Sequence, residues 1–337
     1  MKQIVLILSG LLFLSACADR TPIEVHLQGS TMGTTYNVKY SPIEGVDDVV
    51  VHQDIEDTLI RVNALMSTYD PASELSRFNQ YNGKDTFPLS AETLAVMSEA
   101  KRIAELTDGA LDITIGPVVN LWGFGPTQRA EKVPAKPVVE QTLAQTGIEK
   151  LILGRNSAHK ALPALYVDLS TIAKGYGVDA VVSVLEAQGL DNYLVEIGGE
   201  MRVAGTKLNG QRWRIAIEKP VSTERSLQKI IEIGNNGIAT SGDYRNYYEQ
   251  DGVRYSHIID PRTGYPIQHN LVSVTVVHPS AMTADGLATA LLVKGAAEAM
   301  NLAEENELAV LLISKEGDEF VEWISSAFER DVTTVTP

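Results

Sequence analysis

The sequence predicts an α+β fold, a single large domain of one or two lobes with mainly antiparallel sheet and flanking helices. Three observations predict it. Strand-like runs in the second half follow one another instead of alternating with helices, which argues against a regular βαβ fold. Apolar residues recur every three to four positions in a few separate windows, as amphipathic helices require. After about Gln28 no Pro/Ser/Gly-rich linker or internal repeat interrupts the chain. In order, the first helix spans 51–66, where Ile55, Leu59, Val62 and Leu65 or Met66 form one stripe. A second spans 90–107 with Ser90 as its cap, and a third 171–188, ending before Gly189. Strands follow at 193–197, 213–217, 229–233, 253–259 and 271–278, rich in β-branched and aromatic residues and bounded by Gly, Asn and Pro. A fourth helix fits 281–294, with Leu287, Ala290 and Leu291 as buried positions and Gly295 where a C-terminal cap would sit. A short helix at 296–304 and a strand at 308–314 complete the pattern.

With 337 residues, 44% of them apolar, the chain is long enough for a large core, and disorder and collagen are excluded. Its formal net charge of −15 repels phosphate polyanions, so no nucleic-acid partner is expected. Lys2, the apolar run Ile4 to Leu14 and Leu14-Ser15-Ala16-Cys17 read as an export signal over 1–16, too short to span a bilayer as a mature helix. The small residue before Cys17 resembles a bacterial lipobox, so 17–28 is expected to be a lipidated cysteine and tether, with the folded domain at 29–337. The expected location is lipid-anchored at the periplasmic face, on the inner membrane. Because Cys17 is the only cysteine, an intrachain disulfide, a Cys-based zinc site and a CxxC redox pair are impossible.

Three stretches carry chemistry. Asp168-Leu-Ser-Thr-Ile-Ala-Lys-Gly-Tyr-Gly177 follows the apolar run Ala164 to Val167 and opens a helix. Free N–H groups at that start, the Ser170 and Thr171 hydroxyls and Lys174 one turn in would cradle a phosphate; the plainer alternative is N-capping by Asp168 or Ser170. Gly175-Tyr-Gly-Val-Asp-Ala180 also fits the degenerate fingerprint G-x-G-x-x-A, but Leu169 to Lys174 separate it from the strand end where its first glycine belongs. In Thr283-Ala-Asp-Gly-Leu-Ala-Thr289, Asp285 and Thr289 share one helix face. One carboxylate and one hydroxyl suit Mg²⁺, which completes its shell with water and phosphate; alternatively Asp285 caps the helix and Thr289 back-bonds to the chain. In Arg254-Tyr-Ser-His-Ile-Ile-Asp-Pro-Arg-Thr-Gly264, His257 nears the end of a strand, where a histidine in a cleft can take a hydroxyl proton near neutral pH. No HExxH, GxSxG or Walker A sequence is present.

Together these stretches resemble the FAD:protein FMN transferase family, the ApbE-like lipoproteins formerly linked to thiamine biosynthesis. The resemblance runs through Gly29-Ser-Thr-Met-Gly-Thr-Thr-Tyr36, Ser67-Thr-Tyr-Asp-Pro-Ala-Ser-Glu-Leu-Ser-Arg-Phe-Asn79, Gly109-Ala-Leu-Asp-Ile-Thr-Ile-Gly-Pro117 and Leu121-Trp-Gly-Phe-Gly125. It continues through Asp168 to Gly175, Glu196-Ile-Gly-Gly-Glu200, Ile238-Ala-Thr-Ser-Gly-Asp-Tyr244, Ser256-His-Ile-Ile-Asp-Pro261 and Ala284-Asp-Gly-Leu-Ala-Thr289. It implies that residues 29–337 form a catalytic domain that binds FAD with Mg²⁺ and transfers the FMN half to a threonine of a partner protein, releasing AMP. The implied acceptor is a subunit of a membrane redox complex. Carried over by motif, Met32 and Tyr69 contact the flavin, while Ala110, Leu111, Asp112, Asp168 and Ile258 help hold the dinucleotide. Lys174 faces the phosphates. Thr171, through its main-chain oxygen, joins Asp285 and Thr289 as metal ligands, and His257 is the base.

Two other readings stay open at this point. Thr171-x-x-Lys174, Ser241-x-Asp243 and Arg262-Thr-Gly264 mimic, in order, the S-x-x-K, S-D-N and K-T-G boxes of penicillin-recognising hydrolases, with a threonine replacing the serine nucleophile. A periplasmic FAD-binding lipoprotein, or an FAD pyrophosphatase without a protein acceptor, would use the flavin contacts alone or with water as acceptor.

Overall fold

The computed structural model describes residues 23–125, 132–221, 227–244 and 246–335. The expected signal over 1–16 and Cys17 lie outside the described residues. Eight strands form one antiparallel sheet in which spatial order follows chain order. They are β1 (Val25–Thr31), β2 (Thr34–Tyr40), β3 (Tyr193–Ile197), β4 (Glu200–Ala204), β5 (Gly237–Gly242), β6 (Leu271–His278), β7 (Ala309–Glu316) and β8 (Glu319–Ile324). The principal helices are α1 (Asp48–Met66), α2 (Ala91–Leu106), α3 (Ala173–Ala187), α4 (Ala281–Lys294) and α5 (Ala296–Glu305). The fold is the expected α+β with mainly antiparallel sheet.

The periodic helices fall where their stripes place them. In α1 the buried residues are Val51, Ile55, Leu59, Val62 and Met66, and in α2 the Ser90 hydroxyl caps the start by accepting from Thr93 N–H. Gly295, with φ of 77°, closes α4 as expected. β3, β6 and α4 coincide with their expected spans. The expected strand 253–259 divides: Val253–Ser256 pairs with Tyr247–Gln250 and Ile259–Asp260 with Tyr265–Pro266, while His257 and Ile258 between them keep one backbone bond each, His257 N–H to the Asn246 oxygen and Ile267 N–H to the Ile258 oxygen. The Ser256 hydroxyl accepts from the Ile258 N–H across this break, so the histidine sits at a bend.

β1, β2, β4, β5 and β8 were not expected from the sequence, nor were the short helices Glu74–Gln80, Gly116–Leu121 and Lys136–Leu143. β1 begins at Val25, so the last four residues of the expected tether pair with Asn37–Tyr40 and belong to the folded domain. The strands bury apolar groups on both faces of the sheet. On β7, Val310 and Leu312 pack toward α4, while Ala309, Leu311 and Ile313 join Ile215, Ile217 and Ile231 of a smaller sheet on the other side. A strand buried on both faces reads as a continuous apolar run, which is what 309–313 is. α1 and α3 cover β2 and β3 with Ile55, Leu59, Val178 and Val182.

Candidate active site

The site lies where the β1–β2 turn, the loop after α1 and the starts of α3 and α4 converge. Thr31 pairs with Thr34, leaving Met32 and Gly33 as a two-residue turn with φ of 50° and 73°. Such turns match the twist of a hairpin but demand left-handed backbone, which costs a methionine about 1–2 kcal/mol. The strained position carries Met32 into a cavity of about 800 Å³ that Tyr69 and Asp168 also line. Gly177 makes room for it, since a Cβ there would come within 2.7 Å of the Met32 Cε. Opposite, Tyr69 is 76% exposed on a loop whose Ser67 hydroxyl accepts from the N–H groups of Tyr69 and Asp70. An aromatic face exposed at a cavity mouth is free to stack on a planar ring.

A second compartment of about 380 Å³ shares Tyr69, Asp168, Ser170 and Lys174 with the first and is closed by Asp285, Thr289 and His257. Ala110, Leu111, Asp112 and Ile258 line it. The Asp112 carboxylate is already engaged by Thr114 N–H and hydroxyl and by Ile148 N–H. It therefore shapes the 110–112 loop, and what the loop offers a ligand is backbone and apolar surface. Asn79 pairs through its amide with both N–H and C=O of Val167, fixing the segment that delivers Asp168.

The start of α3 differs from the expected open cradle. No side chain caps it, and Asp168 accepts from Ser170 N–H instead. Yet the N–H groups of Ile172 and Ala173 bond the Leu169 carbonyl, and that of Gly175 donates to Asp285 Oδ2 at 3.0 Å. Positive potential therefore comes chiefly from Lys174, whose Nζ lies 2.6 Å from Glu200 Oε1. Burial opposes the Lys174 charge, but Glu200 and Asp285 outweigh it and hold the ammonium above its ordinary range. Asp285 is pushed up to about 8 by burial and by Glu200, with Lys174 and the Gly175 N–H opposing. Two carboxylates thus face one ammonium, and the pocket has room electrostatically for one more cation.

Its donor set fits a hard one. Among the described residues no three His, Cys, Asp or Glu side chains are grouped to hold a metal ion, so an ion here would take at most two of them and fill its shell with neutral oxygens. Thr171 Oγ1 and Glu200 Oε2 are buried with no hydrogen-bond partner. The Thr171 carbonyl has also lost its helical donor, because the Gly175 N–H points to Asp285. Thr289 Oγ1 is 3.1 Å from Ser241 Oγ on β5. An oxygen-only set with unused lone pairs suits Mg²⁺, which keeps several positions for water and phosphate.

His257 forms part of the opposite wall. Its Nδ1 lies 3.1 Å from the Asn246 main-chain oxygen. A carbonyl only accepts, so Nδ1 carries the proton and Nε2 keeps a free lone pair. Burial, aided by Lys174 and opposed by the Asn246 bond, holds the imidazole below its ordinary 6.5, hence neutral at pH 7. The neighbouring carboxylates are less free: Asp243 lies 3.6 Å from Arg254, and Asp260 is 2.9 Å from Arg262.

The sequence model of the ApbE family matches residues 32–312 of this chain. The chain belongs to the ApbE family. It is 53% identical over 330 residues to a Vibrio cholerae protein named FAD:protein FMN transferase, covering 98% of each. An Escherichia coli K12 protein of the same name is 41% identical over 337 residues, covering 96% of each. Flavin transferase ApbE from Vibrio cholerae superposes with a TM-score of 0.87 at 54% identity, over 92% of this chain and 99% of that one. The apo form of Pseudomonas stutzeri flavinyl transferase ApbE gives 0.85 at 40% identity, over 92% and 97%.

The ApbE match contains every site residue from Met32 to Thr289. It leaves no place for a penicillin-type centre: Ser241 serves Thr289, Lys174 serves Glu200, and Arg262-Thr-Gly264 forms a turn closed on Asp260. In this ApbE chain the motif Glu196-Ile-Gly-Gly-Glu200 by itself gives Glu200 no role. Its importance arises from a contact with Lys174 on another element, which local pattern does not reveal.

Proposed function

We propose that this protein transfers FMN from FAD to a threonine hydroxyl of a partner protein, with Mg²⁺ as cofactor and AMP as product. What carries this reading is the meeting, in one cleft of an ApbE-family chain, of Lys174, Asp285 and Thr289 with a neutral histidine. Pockets for small ligands run about 300–1,000 Å³. The two compartments, about 800 and 380 Å³, suit the two ends of an extended dinucleotide, the flavin against Met32 and Tyr69.

The metal would be held by Asp285, Thr289 and the Thr171 oxygen, and when bound it supplies charge neutralisation for the pyrophosphate. His257 Nε2 takes the proton of the attacking threonine as its oxygen bonds the FMN phosphorus. The bond from that phosphorus to the AMP phosphate breaks, and AMP departs with the electron pair. Lys174, held in place by Glu200, stabilises the charge that grows on the leaving phosphate. General-base help of this kind is worth about 10²–10⁴-fold.

Cys17 is proposed to anchor the enzyme by lipid at the periplasmic face of the inner membrane, near a membrane redox-complex subunit as acceptor. Among the described residues no helix is long and apolar enough to cross a membrane. The test is AMP release from FAD with a candidate acceptor, titrated with Mg²⁺. The proposal expects release to need both ion and acceptor; an undiminished rate in excess chelator would sink the metal assignment, and release without acceptor labelling would indicate a pyrophosphatase.

A further inference from the structure

Asp179 lies one helical turn beyond Gly175 on α3, and both face the start of α4. Gly175 touches α4 directly: a Cβ there would stand 2.3 Å from the Ala281 carbonyl oxygen and 2.8 Å from the Asp285 Cβ. The Asp179 carboxylate accepts from Ala281 N–H at 3.1 Å, Met282 N–H at 3.0 Å and the Ser280 hydroxyl at 2.7 Å. The Ser280 oxygen in turn accepts from Thr283 N–H. Helix starts are usually capped from within their own chain segment. Here the first two N–H groups of α4 are taken by a carboxylate from another helix. Arg202 holds that carboxylate from below at 3.0 Å, two residues along β4 from the Glu200 that holds Lys174. α4 is thereby pinned to α3 at two points, by Asp179 at its start and by the Gly175–Asp285 hydrogen bond one turn later.

We infer that Asp179 is a positioning residue that sets the height of Asp285 against Thr171, and so the fit of the cation site. The inference rests on the metal reading above. Mg²⁺ demands near-ideal octahedral geometry at about 2.0–2.1 Å, whereas Ca²⁺ accepts varied geometry at about 2.3–2.6 Å. A shift of α4 by a few tenths of an ångström therefore penalises Mg²⁺ far more than Ca²⁺. A role confined to stability would not change the ratio of the two affinities.

The experiment titrates the full-length, FAD-loaded protein with Mg²⁺ and with Ca²⁺ by calorimetry, for wild type, Asp179→Asn and Ser280→Ala. Metal-free melting temperatures and metal-free FAD affinity are measured alongside. Asn keeps one acceptor but turns an N–H toward a backbone donor. It is expected to weaken Mg²⁺ by about 10- to 100-fold, the range seen when groups supporting a ligand are removed, and Ca²⁺ by less than about 3-fold, with FAD affinity unchanged. Ser280→Ala should lower the melting temperature without moving the ratio. Asp179→Asn with a lower melting temperature but wild-type Mg²⁺ affinity would overturn the inference, as would an equal ratio change in Ser280→Ala. If the Asn variant does not fold, Asp179→Glu, which keeps the charge and displaces it by one methylene, must show the same selective loss. Wild-type protein that binds neither ion would defeat the metal reading itself, before any variant is compared.

Discussion

Replacing Gly175 with alanine tests the contact on which the site's geometry depends. The added Cβ would stand 2.3 Å from the Ala281 oxygen and 2.7 Å from the Ala281 carbonyl carbon, both backbone atoms that no rotamer change can move aside. Ordinary contact begins near 3.4 Å, so α3 and α4 must part by about 1 Å. Overpacking of this kind costs about 1–3 kcal/mol. The same separation stretches the 3.0 Å bond from Gly175 N–H to Asp285 beyond hydrogen-bond range, leaving two buried polar groups at a further cost of about 1–3 kcal/mol. Helix propensity acts the other way, favouring alanine by about 1 kcal/mol. The net is a destabilisation of about 3 kcal/mol, or roughly 6–12 °C in melting temperature at the 2–4 °C per kcal/mol typical of large domains. Scanning fluorimetry of metal-free wild type and Gly175→Ala measures it. A variant as stable as wild type, or more stable as propensity alone predicts, would refute the close approach of the two helices.

Three further expectations follow from the charges and the turn. Because Asp285 is raised from 3.8 to about 8, its protonated form stabilises the metal-free fold fully below about pH 3.8, and that contribution is lost as pH rises through 8; metal-free melting temperature should fall between pH 5 and 9 more in wild type than in Asp285→Asn, and parallel slopes would count against the shift. His257→Asn should cut single-turnover FMN transfer by about 10²-fold or more while leaving FAD affinity within a factor of a few. With the imidazole held below 6.5, the wild-type rate should decline at low pH with its midpoint below 6.5; near-wild-type transfer by the variant would reject His257 as base. Met32→Asn suits the left-handed turn but removes the thioether, whose contact with an aromatic ring is worth about 0.3–1.5 kcal/mol; FAD should bind roughly 2- to 10-fold more weakly by flavin fluorescence, and unchanged affinity would remove Met32 from the flavin site.

What the sequence disclosed and what it concealed have physical causes. α1 and α2 were legible because each carries a single apolar stripe, and α2 has a local serine cap. The β1–β2 hairpin escaped because its turn is Met32-Gly33 instead of the asparagine-glycine pair that usually marks such turns, a choice that carries Met32 into the cavity. β5 escaped because Gly237-Ile-Ala-Thr-Ser-Gly242 has few large β-formers; it pairs between β4 and β6, where long-range contacts supply the stability. The site divides in the same way. Lys174, Asp285, Thr289 and His257 sit in compact motifs and were named from them. Glu200 and Asp179 act on residues of other elements and could be assigned only once the fold brought those partners together. Asp112 shows the converse, a motif carboxylate whose bonds turn inward to its own loops.

The most direct test of the account is the intact mass of a candidate acceptor protein after incubation with this enzyme, FAD and Mg²⁺, with AMP quantified in the same sample. An FMN-sized gain on one threonine, one AMP per adduct, and loss of both with Asp285→Asn are expected. AMP released in full while the acceptor mass stays unchanged, or an adduct formed equally well by Asp285→Asn, would contradict it.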